Sequence, residues 1–451
     1  MEALIRRLAR VNAGASLSLA LIFVFLLLEG ANSAAHAALL SCLLLLFLIG
    51  LVWTSSRGSL CRILGANWLS ALAALAFLVW GVLTILPAAM LGLLPHPAWP
   101  EGAGYASLSL SPYRTLEGLA AFLAPCAAFL IGAMQNGRSE ARDWSGRWAL
   151  LFAVLYALIG LQLYFAGVTG PRLDVAVGSA NVAAATFAFL SLIALALMAR
   201  AARGRLDAPG AEASLPKHWR WAAFAIKAPF SLALFVFLFS ALLLTQSRGG
   251  LIAALAGYLI FAGLLWSQSL RGGSMRGGAV FGPLFVTALI VALLFLRGGD
   301  EVMARFGLAS EDIEVRRMLA ETHWQAFLER PWLGHGLNTY HEINQTLLSA
   351  ENWRALSTAG SAHNIFVQTL EETGVVGLVA LALMLAPLFW RAFARLAARG
   401  SGAEWAAAAL AGASLFLLQG LVDFTLQTPA VAALFAWCLG AWVGRGAPRA
   451  A

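Results

Sequence analysis

Charge is scarce in this chain. Only 12% of its 451 residues are Asp, Glu, Lys or Arg, and there are just two lysines, Lys217 and Lys227. A soluble domain is about a quarter charged and about 45–50% apolar, whereas here the apolar share is 61%. Too little polar surface remains to face water, which excludes a soluble enzyme. Cysteine is sparse too: Cys42, Cys61, Cys126 and Cys438 have no metal-ligand spacing, and none lies in the longest loop. That excludes a disulfide framework there and leaves the four as packing residues. There is no Walker A sequence and no basic block with interleaved aromatics, so neither ATP chemistry nor nucleic-acid binding is expected despite a net charge of +8. The carboxylate pair of glycoside hydrolases cannot be located. No internal repeat relates the two halves, which counts against the repeat-built transporters.

What the chain does have is apolar runs. Twelve can be read, at about 14–28, 34–53, 68–86, 115–134, 148–166, 179–199, 228–246, 250–266, 279–296, 374–390, 404–422 and 429–444. Each approaches the roughly 20 residues needed to cross a bilayer as a helix. The fold class is therefore all-α and polytopic, with about 12 transmembrane helices. An even count puts both termini on one side. Of the 30 basic residues, 21 fall on that side, so both termini are expected in the cytoplasm. The small-residue segment Ala31–Ala38 has the character of a signal-peptidase site, but the orientation of the later spans does not depend on it. The stretch Arg200–Lys227 reads as an inner linker.

The segment from about Arg297 to Thr373 is much the longest loop and contains Trp324, Trp332, Trp353 and Tyr340, a folded rather than disordered composition. Residues 311–329 have helical spacing, with a stop expected at Arg330-Pro331 and a turn at Gly334-His335-Gly336. The chain thus divides into 1–296 (spans one to nine), 297–373 (a helical outer subdomain) and 374–451 (spans ten to twelve).

Three stretches carry a family resemblance: Thr245-Gln246-Ser247-Arg248-Gly249-Gly250, Pro331-Trp332-Leu333-Gly334-His335-Gly336-Leu337-Asn338, and Ala362-His363-Asn364-Ile365-Phe366 followed by Glu372-Thr373-Gly374-Val375-Val376-Gly377. Together, in this order and placement, they resemble the O-antigen ligase and O-antigen polymerase superfamily. The resemblance implies a GT-C-type glycosyltransferase of the bacterial inner membrane with its large loop in the periplasm. It also implies an undecaprenyl-diphosphate-linked glycan as donor, no metal and no cofactor. The acceptor would be lipid A–core in the ligase branch or another lipid-linked glycan in the polymerase branch, with a chain-length regulator as a further partner.

The residues can be read beside that resemblance. A polyprenyl diphosphate needs fixed cations at the membrane edge, and the planar fork of arginine grips phosphate oxygens in pairs. Arg248, at the tip of a very short turn, suits that role; the bland alternative is a snorkelling arginine. Arg172 is a similar candidate, with pairing to Asp174 as its alternative. Arg316 and Arg317 could reach the diphosphate from the loop helix, although Arg317 and Glu321 are spaced for a solvated ion pair. Arg114 reads as an anchor for the fourth span. His363 suits a general base for the acceptor hydroxyl, or a group that stabilises the leaving phosphate. Asn364 would cap the following helix or orient the ring. Glu371 or Glu372 is expected to orient His363. Asp423 would contact sugar or cap a helix. His335 reads as a turn constituent, and His323 and His341 as surface residues. A membrane transporter and a non-catalytic scaffold are the rival functions.

Overall fold

The computed structural model describes residues 2–55, 58–137, 139–175, 178–206, 229–272, 309–398 and 402–444. The ninth apolar run, the first part of the long loop and most of the 200–227 linker lie outside the described residues. Fifteen α-helices are described: α1 Glu2–Leu27, α2 Ala34–Thr54, α3 Gly58–Ala66, α4 Trp68–Ile85, α5 Pro112–Gln135, α6 Ser139–Phe165, α7 Ala180–Leu206, α8 Pro229–Leu244, α9 Arg248–Gly272, α10 Ala309–Glu329, α11 Tyr340–Thr346, α12 Trp353–Leu356, α13 Ile365–Ala397, α14 Ala403–Gly420 and α15 Pro429–Val443. Among these residues there is no strand, only an isolated bridge between Pro87 and Ser107. Eleven of the twelve apolar runs coincide with helices. Among the described residues, seven helices are long and apolar enough to cross a membrane.

Helix α7 is apolar all round, as a core helix must be. Residues 182–199 are all buried, packed among α6, α8, α9 and α14. α2 and α4, by contrast, expose Leu46, Ile49, Trp53 and Leu75, the side chains suited to lipid. Where α5 crosses α15 the backbones touch: a Cβ on Gly132 would collide with the Trp437 carbonyl oxygen, and one on Gly440 with that of Phe129. Small residues at such crossings give membrane helices their van der Waals contact. The cysteines depart from the sequence reading. Cys438 is buried, but Cys42 and Cys61 are exposed on outer faces of α2 and α3.

The bundle has two poles. At one, Arg200 pairs with Asp143 and lies 3.9 Å from Glu404, while Arg391 and Arg395 donate to the carbonyls of Ala66, Trp442 and Val443 at the ends of α3 and α15. Arginines at helix C-termini satisfy otherwise orphaned carbonyls. The other pole carries the segment 86–111 and the subdomain formed by α10, α11 and α12.

α13 organises that subdomain. It breaks at Gly374 (φ 63, ψ −173), and four backbone groups are freed from the helix. The Pro331–Gly336 segment pairs with all four. His335 N donates to Glu371 O (2.9 Å) and Gly336 N to Glu372 O (2.8 Å), while Val375 N and Val376 N donate to the carbonyls of Pro331 (2.8 Å) and Trp332 (3.2 Å). Buried backbone groups must be paired, so the broken helix and the glycine-rich turn require each other. The approach is close enough that a Cβ on Gly334 would overlap the Glu372 carbonyl, 2.5 Å away.

Candidate active site

α14 ends at Gly420, and the chain after it brings Asp423 to the first turn of α13, where a Cβ on Gly420 would lie 2.6 Å from Ile365 Cγ2. The Asp423 side chain is fully buried. Its Oδ1 accepts from the Phe424 N–H (2.9 Å) and its Oδ2 from Gln419 Nε2 (3.4 Å). Oδ1 also faces His363 Nδ1 at 3.5 Å, close enough for charge attraction and just beyond a formed hydrogen bond. The imidazole is partly open, with 27% of the side chain exposed, and it meets the Phe424 ring edge-on at 5.8 Å.

His363 sits in the left-handed region (φ 48), a strained position for a side chain of this size. What holds it there is on either side. Asn364 Oδ1 accepts from Phe366 N (3.0 Å) and Val367 N (3.2 Å), so Asn364 is the N-cap of α13. On the other side, Ala362 N donates to Gln368 Oε1 (3.1 Å), and Gln368 Nε2 donates to Glu372 Oε1 (3.0 Å). Glu372 Oε2 in turn accepts from Asn338 N at 2.9 Å. The expectation that Glu371 or Glu372 orients the His363 ring is therefore corrected. Asp423 faces the ring, while Glu372 braces the backbone beside it through Gln368.

Three arginines approach this pole. Arg316 on α10 donates to the Val422 carbonyl (3.0 Å), one residue from Asp423. Arg317 points elsewhere: it is 63% exposed and pairs along its own helix with Glu314 (3.2 Å) and Glu321 (3.5 Å), as its spacing allowed. Arg248 opens α9, and the next residue packs on the end of α14, since a Cβ on Gly249 would lie 3.1 Å from Val422 Cγ2. Arg172 reaches the same turn from the 166–179 loop. Its Nε donates to Thr245 O (2.9 Å) and its guanidinium to Asn181 Oδ1 (3.1 Å), which also accepts from Ser247 Oγ (2.8 Å). Thr245 and Asn181 thus take the place expected for Asp174, whose Oδ1 is buried with no hydrogen-bond partner. Arg172, Arg248, Arg316, His363 and Asp423, distant in sequence, converge here. Arg114 does more than anchor its own helix, bonding Glu117 (3.0 Å) and also Glu342 on α11 (2.7 Å).

Two histidines lie differently from what the sequence suggests. His323 is not a surface residue: it is fully buried, with Nδ1 2.7 Å from Glu371 Oε1. His341 is exposed, as expected. His335 is a turn residue, yet it also bonds His96, which the sequence did not single out. A histidine flanked by two prolines in a loop that must cover a glycine-rich turn was the available signal.

A bundle of apolar helices, several of them long enough to cross a bilayer, defines an integral membrane protein. Residues 233–382, about a third of the chain, match the O-antigen ligase family. The match takes in Arg248, Arg316 and His363 and stops short of Asp423. The exopolysaccharide production protein ExoQ of Rhizobium meliloti (strain 1021) is 26% identical over 193 residues, 42% of this chain and 43% of that relative. The aligned stretch thus spans less than half of the relative's length. Over that stretch the chain is similar to the O-antigen ligase family, the one the three motifs resemble.

Proposed function

We propose that the protein is an inner-membrane glycosyltransferase that moves a glycan from undecaprenyl diphosphate to an acceptor sugar hydroxyl. The observation that carries this reading is the placement of His363 against buried Asp423, with Arg316 one residue away and the Arg248 turn packed on the same strand of chain. In this reading the chain has twelve spans of GT-C type, both termini in the cytoplasm and the His363 pole in the periplasm. Residues 1–296 and 374–451 form the membrane bundle and 297–373 the outer subdomain.

The chemistry follows from the groups. A proton on His363 Nδ1 faces the Asp423 carboxylate, which leaves the Nε2 lone pair to take the acceptor's hydroxyl proton. The acceptor oxygen forms a bond to the anomeric carbon as the bond from that carbon to the diphosphate oxygen breaks. Direct displacement inverts the anomeric centre. Undecaprenyl diphosphate departs with its charge matched by Arg248, Arg172 and Arg316, cations fixed in place before the charge develops. Asn364 and Glu372 hold the His363 backbone and touch no substrate. Transfer draws on the donor's diphosphate linkage and needs neither metal nor cofactor.

The acceptor is lipid A–core in a ligase and a second lipid-linked glycan in a polymerase. The Rhizobium meliloti relative is an exopolysaccharide production protein, which favours the second. Purified protein in liposomes with a short undecaprenyl-diphosphate glycan, with and without lipid A–core, separates them. A ladder from donor alone marks a polymerase, and glycan on lipid A–core marks a ligase. If neither forms and His363→Ala and Arg248→Ala match wild type in cells, the protein is not a transferase, and the rival reading of a polysaccharide-related transporter takes its place.

A further inference from the structure

α10 carries Arg316 to the site, but its own place is set by a contact two turns away. Arg316 and His323 are seven residues apart and so share one face of α10, about 10 Å along its axis. Glu371 stands seven residues beyond Asn364, the cap that follows His363. Two helical segments of equal length therefore run from the His363 pole to one buried contact. His323 Nδ1 lies 2.7 Å from Glu371 Oε1, and neither side chain is exposed.

The protonation of this contact can be worked out. Asn344 Nδ2 donates to the Leu356 carbonyl (2.9 Å), which fixes Asn344 Oδ1 as the acceptor facing His323 Nε2 at 3.3 Å. Nε2 therefore bears hydrogen. One further proton lies between Nδ1 and Oε1, on either atom, and the pair is neutral overall in both cases. The Tyr340 ring packs over the imidazole at 4.6 Å, which blocks other orientations. Around the pair, α10 buries Leu319, Ala326 and Phe327. In such surroundings an apolar contact would stabilise at least as well, because burying polar groups costs desolvation. A directional bond adds what leucine cannot: a single register between two helices.

We propose that His323 and Glu371 are positioning residues whose buried contact fixes α10 against the first half of α13 and thereby sets Arg316 relative to His363. The proposal rests on the transfer reading for its functional consequence, and its geometric part does not.

The test uses the full chain in lipid nanodiscs. His323→Phe with Glu371→Leu keeps the volume buried and removes the bond, and Glu371→Gln keeps a neutral partner whose amide can donate to Nδ1. Thermal stability, glycan transfer and hydrogen exchange over 309–329 are measured on each. The apolar pair is expected to keep or raise the thermal midpoint, to speed exchange at the Arg316 end of α10, and to slow transfer at least tenfold. Glu371→Gln is expected to stay within threefold of wild type. Combined with Arg316→Ala, the apolar pair should add less than threefold, whereas with Arg248→Ala, on another element, the losses should multiply. Equal multiplication with both arginines, or transfer that follows stability alone, would show a structural brace and overturn the proposal. Unchanged exchange and transfer would overturn it too. If wild type transfers no glycan yet exchange responds as stated, the transfer reading has failed and the register role stands. Should the apolar pair not fold, His323→Ala is carried through the same measurements.

Discussion

His96 Nε2 and His335 Nδ1 lie 2.9 Å apart across 239 residues of sequence. Both rings have determined protons. His335 Nε2 faces the Ala326 carbonyl at 2.9 Å and must donate, so its Nδ1 accepts from His96 Nε2–H. His96 Nδ1 in turn accepts from Ala98 N at 3.1 Å. Both rings are therefore neutral, and a proton on either would have no acceptor. This pair joins the 86–111 segment to the glycine-rich turn, together with Leu110 N donating to His335 O (2.7 Å).

The first prediction is a pH dependence. Burial, then the charge of Arg330 and the neighbouring His335 ring, hold His96 down to about 3 from 6.5. Burial likewise lowers His335, with Arg330 and His323 adding to the effect and the Ala326 carbonyl and Glu329 opposing it. The undocked state thus binds more protons than the docked state between about pH 6.5 and 3. Docking is fully stable above 6.5 and weakens as pH falls through that window. Hydrogen exchange over 86–111, taken relative to the intrinsic rate at each pH, should rise between pH 7.5 and 5 in wild type, and His96→Gln, which still donates to His335, should flatten the rise. A pH-independent profile in wild type would contradict the tautomer assignment.

Two catalytic variants should separate the base from its partner. His363→Ala removes the proton acceptor and is expected to lower transfer by about 10²–10⁴-fold. Asp423→Asn keeps the volume and the Phe424 contact but removes the charge facing Nδ1. It should cost less than the histidine variant. Initial rates in liposomes measure both. An Asp423→Asn enzyme as fast as wild type would mean the carboxylate does not assist His363.

Arg316 and Arg317 are adjacent in sequence and should behave differently. Arg317 forms exposed pairs with Glu314 and Glu321, and such pairs contribute little. Arg317→Ala should leave transfer within about twofold, whereas Arg316→Ala should cost at least about tenfold, the loss of one charge-assisted contact. Equal losses would move the diphosphate away from the Val422 end of α10.

Much of this was legible in the sequence. The apolar runs located eleven described helices, because lipid and core both demand continuous apolar side chains. Local motifs led to Arg248, His363 and the cap Asn364, since turns and caps are short-range features. The partners were not legible. Asp423 reaches His363 from 60 residues away on the far side of α13 and α14, and no spacing rule connects them. His323 reads as a surface residue because α10 has polar residues on several faces, and burial on one of them depends on α13. His335 looked like a simple turn residue because its partner, His96, lies in a separate loop. Arg317 reads like Arg316 because helical phase alone does not say which face meets the chain after α14.

Gly374 gives the last prediction. Its torsions, φ 63 and ψ −173, are essentially open to glycine alone, and a Cβ there would collide with the Trp332 carbonyl oxygen. Gly374→Ala must therefore either straighten α13 or push the Pro331–Gly336 segment away. Each leaves unpaired some of the four backbone groups that now bond across the break. The torsional strain alone costs about 1–3 kcal/mol, and lost pairing adds to it. Gly360→Ala is the control, because that glycine has ordinary torsions and open space around it, and surface changes of that kind stay within about 0.5 kcal/mol. Thermal unfolding followed by tryptophan fluorescence should show a clear drop for Gly374→Ala and none for Gly360→Ala. Transfer by the folded fraction of Gly374→Ala should fall as well, since Glu372, whose carbonyl holds the turn, also braces the backbone beside His363 through Gln368. If Gly374→Ala unfolds at the wild-type temperature, the break in α13 does not depend on glycine, and the pairing with Pro331–Gly336 is a consequence of the fold rather than a condition for it.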